Sequence, residues 1–490
     1  MVVIFTFCSL YPIWAVRFLP MQDYSEHLLQ VHLLRERNNP AFDYKENFDY
    51  YSLLGPYKPF YAVTAFFSIF VPIEAAGKMS ISLYILAIVL LIIKLARRSD
   101  TDFVPWGLLL FFPFAFNQQY FLGNTGYLYS LPLLVFGLFD AERASEVPLS
   151  IWSFCKSLLW QAALFLTHPF TFLIYISLMS VMVLLSLQKR TKFIRSFVIL
   201  APAVVIFILW SLAMGGNNSP GGKPEWVKPF YHNLIFYGYI FTGMQWFDGV
   251  DKFQTVLWAI TACIVMYTLY TDREHIKTLS RNFFIFFAAT IIALCVLPFR
   301  WDPYTFINLR IVAVSYFFLA VLVGELRFKG LIKTVFVVLV ASVLLHLVAK
   351  QTRISRETDE IVPVIEKMPS NCRILPLIFD SSATEFDRYF FEIHRHDYDY
   401  YHILIGGGLN PYLPTNTMFP VRYKAGLNLP APYLYSPDLF RWERYAPAYN
   451  YIIVRSPPPG FVSYMMSKTT LISESGKWFL FKGGLATAQN

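Results

Sequence analysis

Asp23 and Glu26 stand three residues apart in the run Leu19-Pro20-Met21-Gln22-Asp23-Tyr24-Ser25-Glu26-His27, with His27 directly after the second acid. Two carboxylates and an imidazole in one short stretch can accept and pass on a proton, provided the backbone holds them at a fixed place. The same spacing also suits a helix start, with Asp23 capping the first amides and Glu26 reaching back to the cap's own amide. The two readings are compatible, because a capping carboxylate is a well-held one. Burial would raise the pKa of such an acid, whereas a nearby cation or a helix N-terminus would lower it, and a general base needs the second environment. His27 is read either as a third polar member of the set or as an interfacial residue.

Other polar residues occupy similar places. His168 lies between Thr167 and Pro169 at the bend of an apolar hairpin, where an imidazole either faces a water-filled cavity or snorkels to the membrane surface. Arg300 and Asp302 bracket a loop, and Arg310 lies about a turn into the next apolar segment, where a lone guanidinium is costly. Its neutralising partner is either Asp302 or Asp23 as a structural pair, or a lipid-linked phosphate held in bidentate fashion. Asn124 and Tyr127 belong to residues 117–129, a mixture of amides, glycines and tyrosines that suits a carbohydrate or a glycine-rich connection between helices. Glu392-Ile-His394-Arg-His396-Asp397 has the composition of a metal cluster, but i, i+2 spacing in a loop does not define a ligand set, and no metal site is assigned there.

The elements that must position these residues are membrane helices. Hydrophobic residues make up 56% of the chain, aromatic ones 18% and charged ones only 15%, too apolar a balance for a water-soluble globule of this length. Apolar runs of roughly 16 to 20 residues, each able to cross a bilayer as a helix, recur through residues 1–350 and then cease. The expectation is a polytopic α-helical membrane protein of about 11 to 12 transmembrane or re-entrant helices. Residues 1–350 form its membrane domain, with a first outer loop at 20–59, and residues 351–490 a small soluble α/β domain. The net charge of +9 sits in short basic clusters between apolar runs, which is how orientation signals are distributed, and nucleic acid is not expected as a partner. The five cysteines offer neither a disulfide framework nor zinc spacing. Residues 1–18 lack a basic n-region and a small-residue cleavage site and are read as a retained helix.

Basic clusters around Lys94, Arg97 and Arg98, around Lys189 to Lys192, from Asp272 to Lys277, and around Arg327 to Lys333 are assigned to the cytoplasm. Residues 60–73 are then re-entrant or interfacial, residues 103–116 cross outward, residues 152–187 form a hairpin bent at His168, and the tail emerges outside. On this topology the outer face collects residues 20–59, the 117–126 loop, His168, residues 215–222 and the Arg300 loop. In the tail, a helix is expected over 359–367 and strands over 373–379, 449–454 and 478–482.

The first helix ending in the Asp23 run, the long first outer loop, Tyr120-Phe-Leu-Gly123-Asn124-Thr-Gly126-Tyr127 before Leu131-Pro132-Leu133, Leu166-Thr-His168-Pro169 and an outer tail together resemble the GT-C superfamily. These are integral-membrane glycosyltransferases that use polyprenyl-phosphate sugars. The resemblance is one of layout and covers most of the chain. It implies an inverting transfer in which Asp23 is the base that activates the acceptor and Glu26 its neighbouring acid, the Asp-x-x-Glu spacing being wider than the family's usual acidic pairs. It further implies a polyprenyl-phosphate-linked sugar donor, a glycan, lipid or protein acceptor, and a leaving phosphate stabilised by cations such as Arg310; the other substrate contacts are assigned to the polar residues of the outer face, His27, Asn124, Tyr127, His168, Arg300 and Asp302. The expected location is a bacterial inner membrane with the tail outside; a divalent cation, Mg or Mn, is left open as cofactor. The rival readings are a transporter or lipid flippase, for which Arg310 and His168 mark a path, and a non-catalytic scaffold.

Overall fold

The computed structural model describes residues 1–97, 105–214, 223–227, 232–233, 252–271, 281–301, 304–305, 307–384, 392–414, 418–427 and 429–485. Arg98, residues 215–222, the 272–277 cluster and Asp302 lie outside the described residues. Among those described, five helical stretches are long and apolar enough to cross a membrane: Ile73–Ala96, Arg190–Ala213, Phe253–Thr271, Ile307–Gly324 and Gly330–Ile365, the last made of the helix Gly330–Asp359 and a further turn. Val2–Trp14, Pro169–Leu185 and Arg281–Val296 are apolar but shorter. The chain is therefore a helical membrane protein.

Among the described residues the expected 11 to 12 transmembrane or re-entrant helices are not reached, for local reasons. Of the stretch 103–116, the described residues 105–116 do not form one α-helix: the chain makes a 3-10 turn at Trp106–Leu110 followed by the short helix Phe111–Ala115, and Pro113 lacks the amide that would continue the ladder between them. Within residues 60–73 the helix is only Pro59–Phe67, nine residues. Thr125–Glu146 is 22 residues long but carries Asp140, Glu142 and Arg143 in its last turns.

The fold divides into two compact units, one of residues 1–11, 82–120 and 124–348, the other of residues 12–81, 121–123 and 349–490. In the first, Ile307–Gly324 is buried along almost its whole length. It packs against Arg281–Val296 and against residues 106–115, with ring contacts Phe111–Phe317 and Phe114–Tyr316 both at 5.2 Å. A Cβ on Gly107 would lie 2.1 Å from the Val323 carbonyl oxygen, so the backbones meet where a side chain has no room. Ile151–Thr167 opens with a reciprocal Ser150–Ser153 capping box, and the expected bend follows it. His168 is extended, as the residue before a proline prefers, and Pro169 starts Pro169–Leu185 at a position that needs no amide.

The second unit contains a four-stranded sheet in the order Ile374–Ile378, Tyr451–Arg455, Trp478–Lys482, Leu471–Ser475. The first pair is parallel and the other two are antiparallel. Three of these strands fall within two residues of the sequence expectation. Leu471–Ser475 does not appear there, since its half-exposed alternation belongs to an edge strand. The helix expected over 359–367 is replaced by the end of Gly330–Asp359, which runs for 30 residues, and by a single turn, Val362–Ile365, opened by Pro363. A smaller core of Leu29, Leu33, Tyr44, Phe48, Leu409, Leu413 and Val421 joins the first loop to the tail. The strands Phe48–Tyr50 and Val421–Tyr423 pair antiparallel beside it.

Candidate functional site: an acid–histidine cluster

Asp23 is fixed through its backbone. The Gln22 amide donates to the Phe121 carbonyl at 2.8 Å and the Asp23 amide to the Leu122 carbonyl at 3.3 Å. Gly123 has φ +82°, and a Cβ there would sit 2.8 Å from the Asp23 nitrogen, so only glycine allows the two segments this close. The loop read from sequence as a carbohydrate surface or a plain connection thus clamps the acid in place.

The helix Tyr24–Arg35 begins right after Asp23, yet the Asp23 side chain makes no capping bond to it. The capping box that the Asp-x-x-Glu spacing allowed is not formed. Gln22 Nε2 donates to Asp23 Oδ1 at 3.3 Å.

His27 works as a staple. Its Nε2 lies 3.1 Å from the Gly123 carbonyl, which can only accept, so Nε2 carries the proton and Nδ1 accepts from the Tyr61 hydroxyl at 2.7 Å. Burial pushes its pKa down to about 4, in keeping with a neutral ring whose two nitrogens are both engaged within the protein.

The tail completes the cluster. The Glu392 amide donates to Gln22 Oε1 at 2.9 Å and Ser25 Oγ donates to the His396 carbonyl at 2.8 Å. These two bonds bring the His396 ring to 3.4 Å from Glu26 Oε2, through Nδ1, and to 3.9 Å from Asp23 Oδ1, through Nε2. Burial above all, then the nearby Arg395, pushes the His396 pKa down to about 3, so its contacts to the acids are those of a neutral imidazole rather than a salt bridge. Glu26 is buried and held well above the usual carboxylate range, by desolvation first and then by the charges of Asp23 and Asp399. Asp23 is the open member, with 32% of its side chain exposed.

One carboxylate oxygen from each acid and one ring nitrogen of His396 lie within 4.8 Å of one another, which small side-chain movements could close around a divalent ion. The donor set fits such a group. Two oxygens and an imidazole nitrogen suit manganese better than magnesium, which prefers oxygen alone. Nothing in the spacing of Asp23 and Glu26 pointed to His396; the only signal was the acid- and histidine-rich composition of residues 392–397.

The remaining candidates belong to the first unit. The Tyr127 hydroxyl donates to the Arg310 carbonyl, and its ring meets His168 edge-on at 4.9 Å. Arg310 Nε is buried and has no hydrogen-bond partner among the described residues. Asn124 stands at the N-cap of Thr125–Glu146 but donates through Nδ2 to Gln119 Oε1 at 2.7 Å rather than capping. Arg300 is exposed in a two-residue strand, its carbonyl accepting from the Glu225 amide at 2.8 Å. Asp302 lies outside the described residues. Two groupings result: Asp23, Glu26, His27 and His396 in one unit, and Tyr127, His168 and Arg310 in the other. No protein-family model matches this sequence, and comparison with curated proteins finds no match.

Proposed function

We propose that the protein is an inverting glycosyltransferase that moves a sugar from a polyprenyl-phosphate donor to an acceptor hydroxyl at the outer face of a bacterial inner membrane. The observation that carries this reading is Asp23: a partly exposed carboxylate, clamped through its backbone, released from capping and set against a neutral histidine and a buried acid. In the step proposed, a carboxylate oxygen of Asp23 takes the acceptor proton as the acceptor oxygen forms its bond to the anomeric carbon. The bond from that carbon to the phosphate oxygen breaks, and the lipid phosphate leaves with the electron pair. Inversion follows from a single displacement.

Glu26, whose pKa burial raises, and His396, whose pKa burial lowers, stand beside Asp23 in the cluster. Asp23, Glu26 and His396 are also the residues that would hold a divalent ion, which when bound would supply a Lewis acid for a phosphate oxygen. Arg310, with its buried Nε, has the chemistry of an anion site, and Tyr127 fixes the backbone that carries it.

The test is Asp23→Asn in the purified full-length protein, supplied with a polyprenyl-phosphate sugar. Transfer is expected to fall by a factor of about 100 or more, while binding of the lipid donor is retained. Full transfer by this variant would refute the base, and indifference to every lipid-linked sugar would favour transport or scaffolding.

A further inference from the structure

A groove of about 870 Å³ opens in the first unit along Ile73–Ala96 and Thr125–Glu146. It bears no relation to the proposed chemistry, and its walls grade from apolar to a charged end where Lys94, Arg97 and Arg143 stand with Glu142 and Glu146. Ala87, Leu90 and Ile93 follow one another at helical spacing, ending at Arg97. Leu133 and Phe136 repeat the pattern on the other helix, ending at Arg143.

Between the two ends is a built floor. Lys94 Nζ lies 4.9 Å from the Phe136 ring centre and 5.1 Å from that of Phe139, and Phe136 stacks on Trp160 at 5.4 Å with 3° between planes. Asp140 binds Lys94 at 2.6 Å, Lys156 at 2.9 Å and the Trp160 Nε1 at 2.8 Å, so one acid is shared by two lysines. Glu142 accepts from Asn282 at 2.6 Å, and Glu146 pairs with Lys192 at 3.3 Å. Arg97 and Arg143 have no ion-pair partner among the described residues.

An amphiphile with a negative head and a hydrocarbon tail matches this gradient, and a volume of this size is ordinary for a ligand pocket. We propose that the groove holds one acidic phospholipid, its phosphate between Arg97 and Arg143 and an acyl chain along the apolar walls. Charge complementarity selects the acidic lipid over a zwitterionic one, and the rigid aromatic floor keeps the chain end in register.

The experiment is native mass spectrometry of the full chain released from nanodiscs made of equal parts phosphatidylglycerol and phosphatidylcholine. The wild type should retain phosphatidylglycerol several-fold over phosphatidylcholine. The double variant Arg97→Ala, Arg143→Ala should lose that preference, and Ala87→Trp, which fills the apolar end and leaves every charge in place, should lower retention of both lipids. Circular dichroism and a single elution peak confirm that each variant is folded. Equal retention of the two lipids by the wild type, unchanged preference in the double variant, or preferential retention of added polyprenyl phosphate would overturn the proposal.

Discussion

At the scale of single residues, the cluster depends on a histidine drawn from far along the chain. Asp23, Glu26 and His27 are close in sequence and could be picked out by type alone, but His396 comes from the tail, joined to them by hydrogen bonds from Glu392 to Gln22 and from Ser25 to the His396 carbonyl and by the packing of residues 397–404 on Tyr24–Arg35. No periodicity encodes such a meeting, because it depends on how the tail folds. His396→Ala should leave a buried acid without its neighbour, at a cost of about 1–3 kcal/mol, visible as a lower Tm. His396→Gln, which restores a polar side chain, should recover part of it. Equal Tm values for the two variants would show that the ring contributes only bulk. The sequence also admitted a bland reading of Asp23 as a helix cap; the helix does start there, but the side chain makes no capping bond.

At the scale of elements, glycine positions decide where segments can touch. Gly123→Ala should strain a backbone at φ +82° by about 1–2 kcal/mol and, by pressing on the Asp23 nitrogen, should reduce transfer more than it reduces Tm. A wild-type turnover rate in this variant would mean that the clamp on Asp23 is not needed. Gly107→Val should be worse for folding, since its side chain would meet the Val323 backbone, which has no rotamer to change. Chymotryptic cleavage of the membrane-embedded protein would register that loss as faster digestion. The hairpin bent at His168 and the buried strands of the tail were readable, because Thr-His-Pro punctuation and continuous apolar runs are local signals. Residues 103–116 were not: apolar content suggested a span, whereas the described residues 105–116 form two short pieces, Pro113 lacking the amide that would join them.

At the scale of the molecule, the unit containing the tail holds four histidines whose pKa values desolvation depresses, the half-buried His27 and the buried His402 to about 4 and the buried His32 and His396 to about 3. A neutral histidine in the fold and an ordinary one near 6.5 in the unfolded chain mean that the unfolded state takes up protons first as pH falls. Their contribution to stability is therefore complete above pH 6.5 and is lost as pH drops toward the folded values of about 3 to 4. Glu26, shifted upward, acts in the opposite sense, its burial penalty applying above its ordinary value of 4.5. With four histidines against the raised acids Glu26, Asp399 and Asp359, the urea midpoint followed through buried Trp478 should decline between about pH 7 and about pH 5. A constant midpoint would contradict the depressed histidines. Hydropathy groups residues 20–59 with the helices they interrupt, whereas Leu29, Leu33, Tyr44 and Phe48 among them share a core with Leu409, Leu413 and Val421 of the tail.

The central claim, a single displacement initiated by Asp23, is tested most directly by the stereochemistry of the product. Purified protein given a polyprenyl-phosphate sugar of known anomeric configuration should yield a glycoside of the opposite configuration by NMR, and Asp23→Asn should yield none. Retained configuration, or product formed equally well by the variant, would contradict the account.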